Sequence, residues 1–316
     1  MKPLFITDDE VRDLVSVSET VDILGTAFAQ QASGQAVNLT RRRLATGKVF
    51  LHILGGAVGA YFGYKAYTVG AGGARFLVHL FDSGTGQLVS LMQADVLGQI
   101  RTGAATGLGT RCLSRKDARV ATLFGAGWQA QSQLEAMAAV RSLERVWIVN
   151  RTPEKAERFI ESMSPRVDAE LRRATSPEEA VGASQIVTTI TGSREPVLYG
   201  SWIRPGTHVN AAGGNMLLRK EVDGEVVSRA GLIVVDSIEQ ARIECGEFLG
   251  VLTTGRRHWD EIVELKDVVA GRIERQSDEE ITFFKSQGVG LEDVALGAVV
   301  YERARERGMG RDLDLS

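Results

Sequence analysis

An α/β fold with a parallel sheet, joined to a separate α+β segment, is the class this sequence predicts, and three observations lead there. From Arg119 to about Gln287 a short β-branched strand is repeatedly followed by a helical segment, as parallel α/β architecture requires. The strand candidates RVATLF at 119, RVWIV at 145, QIVTTI at 185, THVNAA at 207 and LIVVDS at 232 are mostly continuous apolar runs, which suits strands buried on both faces. The chain before Arg101 reads differently, as one helix followed by short strands rich in glycine and aromatics.

Taken in order, Val11–Gln31 has the spacing of an amphipathic helix, and Leu44–Met92 holds several strands with DSGTGQ as a hairpin turn. RTGAATGLGTRCL, starting at Arg101, is rich in small residues and reads as a closely packed helix that bridges to the α/β half. TPEKAERFIESM, starting at Thr152, has a Thr cap, Pro at the first helical position and an early Glu. LEDVALGAVVYERARERG, starting at Leu291, has helical spacing with basic residues in its last turns. This last helix either finishes the α/β domain or folds back on the first one.

The totals exclude several function classes. A chain of 316 residues, 44% apolar and 24% charged, has an ordinary globular composition and can bury a sizeable core. A net charge of −3 from 37 basic and 40 acidic residues, without long like-charge blocks, points away from nucleic acid and anionic membranes. Cys112 and Cys245 lie far apart and no secretory leader pattern is visible, so a cytoplasmic protein without disulfides is expected. No run is long and apolar enough to span a membrane, no acidic, His or Cys set has metal-ligand spacing, and no G-x-S-x-G elbow is present. His79 and His208 lie in strand-like runs and read as hydrogen-bonded core or interface residues.

RVATLFGAGWQAQSQLEAM carries the sharpest signal. A phosphate-binding turn needs one glycine to leave the strand, a second for close approach of the pyrophosphate, and a small residue where helix meets sheet. Gly125, Gly127 and Ala130 occupy those positions, and the following helix would offer its unpaired amides to phosphate. A tight strand-to-helix turn without ligand is the competing reading. A carboxylate after the second strand would select NAD; Asn150, Arg151 and Thr152 stand there instead, which favours NADP(H), with NAD(H) as the alternative and Arg151 as a merely solvated residue the bland reading.

RTGAATG, GAGWQAQ, NRTPEKAERF, NAAGGN, VVDSIEQARIECGE and GVGLEDVALGAVVYERARERGMG, in that order, resemble the ornithine cyclodeaminase/μ-crystallin family over nearly the whole chain. The resemblance implies a homodimer of two-domain subunits. A Rossmann NAD(P)-binding domain over 116–290 would be joined to an N-terminal α+β substrate-binding and dimerisation domain over 1–115, completed by the C-terminal helix, 291–316. It also implies a cleft between the domains that holds nicotinamide and a small α-imino or α-amino acid.

Residue by residue, Lys65 resembles the family's active-site lysine, Arg101 its carboxylate-binding arginine and Arg41 a second arginine on that carboxylate. Arg43 would share a strand face with Arg41 and is the reserve candidate. The cofactor-binding set carried over is Thr102, Gly125, Gly127, Trp128, Gln129, Asn150, Arg151, Thr152, Thr189 and Gly290. Gly288 and Gly290 would allow close approach, while Glu292 and Asp293 read as ordinary acidic residues capping the last helix.

Two positions depart from the ornithine-converting members. Asn215 replaces a catalytic aspartate and His52 stands where a glutamate faces substrate, so His52 becomes a candidate for binding a second carboxylate. An uncharged Asn215 cannot act as a carboxylate base. The sequence therefore favours an NAD(P)H-dependent reductase of a small α-imino acid, with Arg41, Lys65, Arg101, His52 and Asn215 around the substrate. Burial would lower the Lys65 pKa and suit it to orienting the substrate or relaying a proton. The competing readings are an ornithine or lysine cyclodeaminase with recycled NAD, and a crystallin-like NADPH-binding protein without physiological turnover.

Overall fold

The computed structural model describes residues 2–314. The chain forms two compact units, one of Met1–Arg101 with Val289–Ser316 and one of Thr102–Gly288. The passage between them therefore falls inside a helix, not at the start of the first α/β strand.

The first unit begins with β1 (Leu4–Ile6), α1 (Asp8–Leu14) and α2 (Val17–Ala32). The single helix expected over Val11–Gln31 is thus two. Ser16 ends α1 and restarts the chain, because its side chain accepts the Glu19 amide, and Val15 is extended. Five strands follow: β2 (Ala36–Thr46), β3 (Val49–Val58), β4 (Tyr61–Gly70), β5 (Gly73–Asp82) and β6 (Leu88–Gln93), then α3 (Asp95–Leu113). The β5–β6 turn is the expected DSGTGQ, closed by Asp82 Oδ1 accepting both the Gly84 and Thr85 amides.

The second unit alternates strand and helix: β7 (Val120–Phe124), α4 (Trp128–Val140), β8 (Arg145–Val149), α5 (Pro153–Met163), β9 (Glu170–Arg173), α6 (Pro177–Gly182) and β10 (Ile186–Thr189). It continues through β11 (His208–Ala211), α7 (Gly224–Arg229), β12 (Leu232–Val235), α8 (Ile238–Glu244), α9 (Gly246–Thr253), β13 (Ile262–Glu264), α10 (Leu265–Val269) and β14 (Thr282–Lys285). Among the described residues its sheet has eight strands, all parallel, in the order β13-β12-β14-β11-β10-β7-β8-β9. The strand order reverses between β7 and β10, the place where open α/β sheets bind ligands. One face packs α4 and α5 residues such as Leu134, Met137 and Phe159 on β7 and β8; the other packs Val226, Ala241 and Phe248 on β10–β12.

The sequence expectation omitted β14, which pairs with both β11 and β12 and is fully buried. Close packing explains the small residues in α3. A Cβ on Gly103 would lie 2.4 Å from the Ser132 carbonyl oxygen and one on Gly109 2.6 Å from the Phe284 ring.

The chain returns to the first unit with α11 (Gly290–Arg307) and β15 (Arg311–Asp312). Among the described residues this unit's sheet is seven-stranded, ordered β15-β1-β6-β5-β4-β3-β2. α11 packs across β2 to β5 and on α2, so the last helix folds back on the first elements. Its start lies so close to β3 that a Cβ on Gly290 would stand 2.2 Å from the Gly55 nitrogen. A side chain there must push α11 off the sheet. Gly290→Ala is therefore expected to cost about 1–3 kcal/mol or more in urea unfolding, while Gly250→Ala, at an open position of α9 with ordinary helical backbone, should cost less than half of that.

Candidate active site

Three buried cations converge in the first unit. A bulge in β2 between Leu39 and Arg42 interrupts the alternation of side chains, so Thr40 and Arg41 are buried in succession while Arg42 is exposed. Arg41 is 3% exposed, Lys65 on β4 is 2% and Arg101 on α3 is 8%. Two carboxylates from the first turn of α11 meet them. Asp293 Oδ1 accepts from Lys65 Nζ at 2.6 Å and from Arg101 Nε at 3.0 Å, and Glu292 Oε2 accepts from Arg101 Nη1 at 2.9 Å.

Glu292 and Asp293 do not cap α11, contrary to expectation. The N-cap is Val289 with no side-chain cap bond, and both carboxylates are spent on buried ion pairs. Sequence alone misses this role because acidic residues in a first helical turn have an adequate local explanation.

Burial lowers the Lys65 pKa to about 8, helped by the Arg101 charge and opposed by Asp293. Burial also works against the Arg101 cation, but Asp293 and Glu292 hold it above its ordinary range. Lys65 Nζ sits 5.9 Å from the Phe76 ring centre, so an aromatic wall shields it from water. Arg41 adds a further positive charge that acts on Lys65.

His52 on β3 stacks on Tyr67 at 4.4 Å and accepts a hydrogen bond from Arg43 Nε at 3.1 Å. Burial and the nearby Arg43 and Arg41 charges lower its pKa to about 4, so it is neutral at pH 7. Because Nδ1 accepts, the ring proton lies on Nε2. The bulge separates Arg43 from Arg41: Arg43 binds His52, whereas Arg41 joins the buried set. His208 behaves as a core residue, with Nδ1 bonded to Thr282 and Nε2 to Asn210 at 2.9 Å each; His79 stacks on Tyr64, but its buried Nδ1 makes no hydrogen bond.

The second unit holds the glycine turn. Gly125 has φ of +114° and a Cβ there would lie 2.5 Å from the Ile190 carbonyl oxygen, so glycine is required where β7 ends. Gly127 is the N-cap of α4, makes no side-chain cap bond and has open space where a Cβ would point; Ala130 is fully buried. The first-turn amides of α4 are thus offered to an anion, with no acidic side chain in that turn to compete.

A cavity of about 590 Å³ beside Gly125 is lined by Asn150, Arg151, Thr152 and Lys155, with Thr191 and Gly192 opposite. Lys155 is absent from the sequence-derived set; its signal is its place one turn into α5, on the side of Thr152. No carboxylate lines this cavity among the described residues. Thr152 is the N-cap of α5 but makes no side-chain cap bond; its carbonyl accepts from Asn150 Nδ2. The residues and cavity fit a dinucleotide: glycine turn and helix amides for the pyrophosphate, and a polar, basic edge for the ribose.

The remaining carried-over positions are not among the residues that line this cavity. Thr189 is buried and donates its hydroxyl to Glu221 at 2.9 Å. Thr102 accepts from Gln133 Nε2 at 3.1 Å through its carbonyl. Gly290 answers to the Gly55 backbone. Trp128 and Gln129 form the start of α4, and Trp128 is exposed. Asn215, half-buried, follows the Gly213-Gly214 loop after β11.

That loop is held by charges that no sequence motif singles out. Buried Glu221 accepts the Gly213 amide at 2.6 Å, the Thr191 amide at 2.5 Å and the Thr189 hydroxyl. Lys285, at the end of β14, donates to the Gly214 carbonyl at 2.6 Å and pairs with buried Glu247 at 3.3 Å.

A family model described as the ornithine cyclodeaminase/mu-crystallin family matches residues 1–308. A Δ1-pyrroline-2-carboxylate reductase of Bacillus cereus is 31% identical over 98% of this chain and 99% of its own. A solved structure of the Thermococcus litoralis Δ1-pyrroline-2-carboxylate reductase in complex with NADH and L-proline matches 98% of this chain and 100% of its own, at 31% identity and a TM-score of 0.92. An archaeal alanine dehydrogenase dimer with bound NAD matches all of both chains at 31% identity and a TM-score of 0.93.

Glu221→Gln would turn an NH₂ group toward donors that now meet an oxygen. A loss of about 2–3 kcal/mol in stability is expected, read as a lower urea midpoint, with Glu225→Gln at the surface as the unaffected control.

Proposed function

The chain belongs to the ornithine cyclodeaminase/mu-crystallin family, and from that premise we propose that it reduces the C=N bond of a small α-imino acid to the L-amino acid with NADPH. The observation that carries the reading is the buried set of Arg41, Lys65 and Arg101, three cationic side chains gathered in one place inside the first unit. Arginine pairs with a carboxylate through a planar fork, so Arg41 and Arg101 fix the substrate end-on and Lys65 adds a third contact. Bound nicotinamide supplies the hydride; the chain supplies orientation, a dry pocket and charge.

Relatives named as reductases of a cyclic imino acid, and a solved complex with L-proline, support the substrate class. Asn215 supports reduction over deamination, since an amide offers no carboxylate base. The NADP(H) preference rests on Arg151 and Lys155 in a cavity edge without carboxylates, a charge pattern that attracts a 2′-phosphate. Self-association as a homodimer is supported by exposed apolar residues along β2 to β4, among them Leu39, Leu44, Phe50, Phe62 and Val69.

The reading is tested by cofactor oxidation with Δ1-pyrroline-2-carboxylate, Δ1-piperideine-2-carboxylate, and pyruvate or oxaloacetate with ammonia, each with NADPH and NADH. Turnover is expected with at least one imine, and faster with NADPH. Ammonia release from ornithine without net cofactor oxidation would replace this reading.

The Lys65 pKa gives a second expectation. Below about pH 8 the side chain is charged and attracts a carboxylate; above it that attraction is lost. Affinity for furan-2-carboxylate, which does not titrate in this range, should fall toward ~10-fold per pH unit above pH 8. In Lys65→Met the affinity should be low and flat from pH 7 to 9 in the same calorimetric titration.

A further inference from the structure

We propose that Asp293 is a catalytic residue whose Oδ2 accepts the N–H of the substrate's protonated imine while Lys65 and the arginines hold its carboxylate. The inference rests on the imine-reduction reading above and assigns the group that meets the nitrogen.

Asp293 is fully buried, and the cations around it share one of its two oxygens. Lys65 Nζ and Arg101 Nε both donate to Oδ1, whereas Oδ2 is shut away from solvent and accepts no hydrogen bond. A carboxylate oxygen has two acceptor sites, and a buried one left without a donor is disfavoured unless something supplies it. The groups facing the site come from five elements: Arg41 from β2, Lys65 from β4, Phe76 from β5, Arg101 from α3 and Glu292 from α11. None of them donates to Oδ2.

The missing donor has a defined chemistry. A cationic N–H is the donor that pairs most strongly with a buried carboxylate oxygen. Its molecule also bears a carboxylate, because cations lie within 3.0 Å of the other oxygen of the same side chain. A protonated α-imino acid meets both conditions, since its nitrogen and carboxylate are attached to the same carbon. A zwitterion of this kind adds no net charge to the pocket, and each pole meets its opposite.

The step balances without an added proton. Asp293 raises the fraction of imine that is protonated. A hydride from a dihydronicotinamide adds to the iminium carbon, the C=N π pair moves onto nitrogen, and the nitrogen keeps its proton as an amine. The substrate gains two electrons and the dinucleotide is oxidised by two.

The test compares two flat five-membered analogues that differ at one atom, pyrrole-2-carboxylate with an N–H and furan-2-carboxylate with an oxygen. Binding is measured calorimetrically to the protein saturated with NADPH, so no turnover is needed. Wild type should prefer the pyrrole by about tenfold or more, as expected for a hydrogen bond to a charged acceptor. In Asp293→Asn the amide must turn its oxygen to Lys65 and Arg101, which places NH₂ where Oδ2 was. The preference should then vanish or reverse, while furan-2-carboxylate binds as well as before or better, because a buried anion has been removed.

Asp293→Ser serves where the Asn variant does not fold, with the same expected loss of preference. Equal binding of both analogues by wild type, or a preference unchanged in the variants, overturns the role of Asp293 alone. Binding of neither analogue by wild type overturns the imine-reduction reading, and this inference with it.

Discussion

The first unit depends on one carboxylate oxygen shared by two cations. Asp293 Oδ1 joins Lys65, from a strand formed early in the chain, to Arg101 on α3, and both partners lie about two hundred positions away in sequence. Taking these groups out of water is expensive, and a buried ionic cluster of this kind is often no more stabilising than well-packed apolar residues of the same shape. Its value lies in holding charge in a dry place. The Lys65 pKa is brought down to about 8, so the side chain keeps its charge at neutral pH but loses it within reach of ordinary buffers, while Arg101 stays charged.

The second unit solves a related problem with backbone. The loop after β11 lacks regular pairing, so its amides and carbonyls need partners. Glu221 and Lys285 provide them from inside, with Glu247 compensating Lys285. Burial raises the Glu221 pKa, while the amides that it accepts and Lys285 work the other way. His208 and Asn210, on β11 itself, tie the strand to Thr110 of α3 by hydrogen bonds alone. Polar groups are thus kept in the core wherever the chain must be held without a side-chain knob.

Much of this is legible in the sequence. Period and punctuation reveal the alternating strands and helices, and Gly125, Gly127 and Ala130 predict the strand-to-helix turn that the structure contains. The illegible parts have common causes. β14 ends in Lys285, and a charged residue argues against a central strand until Glu247 is known to lie opposite. Ser16 is an N-cap hidden inside an otherwise continuous apolar period. The β2 bulge, which turns Arg41 inward, has no local signature. Glu292 and Asp293 look like dipole-matching residues because their real partners are remote in sequence. Local chemistry is readable one window at a time; pairing across the chain is not.

The placement of α11 has a bearing on how the chain is made. Strands β2 to β5 leave the ribosome first, yet the helix that covers them and the acid that neutralises Lys65 emerge only after the whole second unit. That intervening unit has all its strands and can close earlier. A nascent chain therefore carries an uncovered sheet and a solvated, fully charged Lys65 until α11 is synthesised, and its dependence on chaperones should be concentrated in that interval.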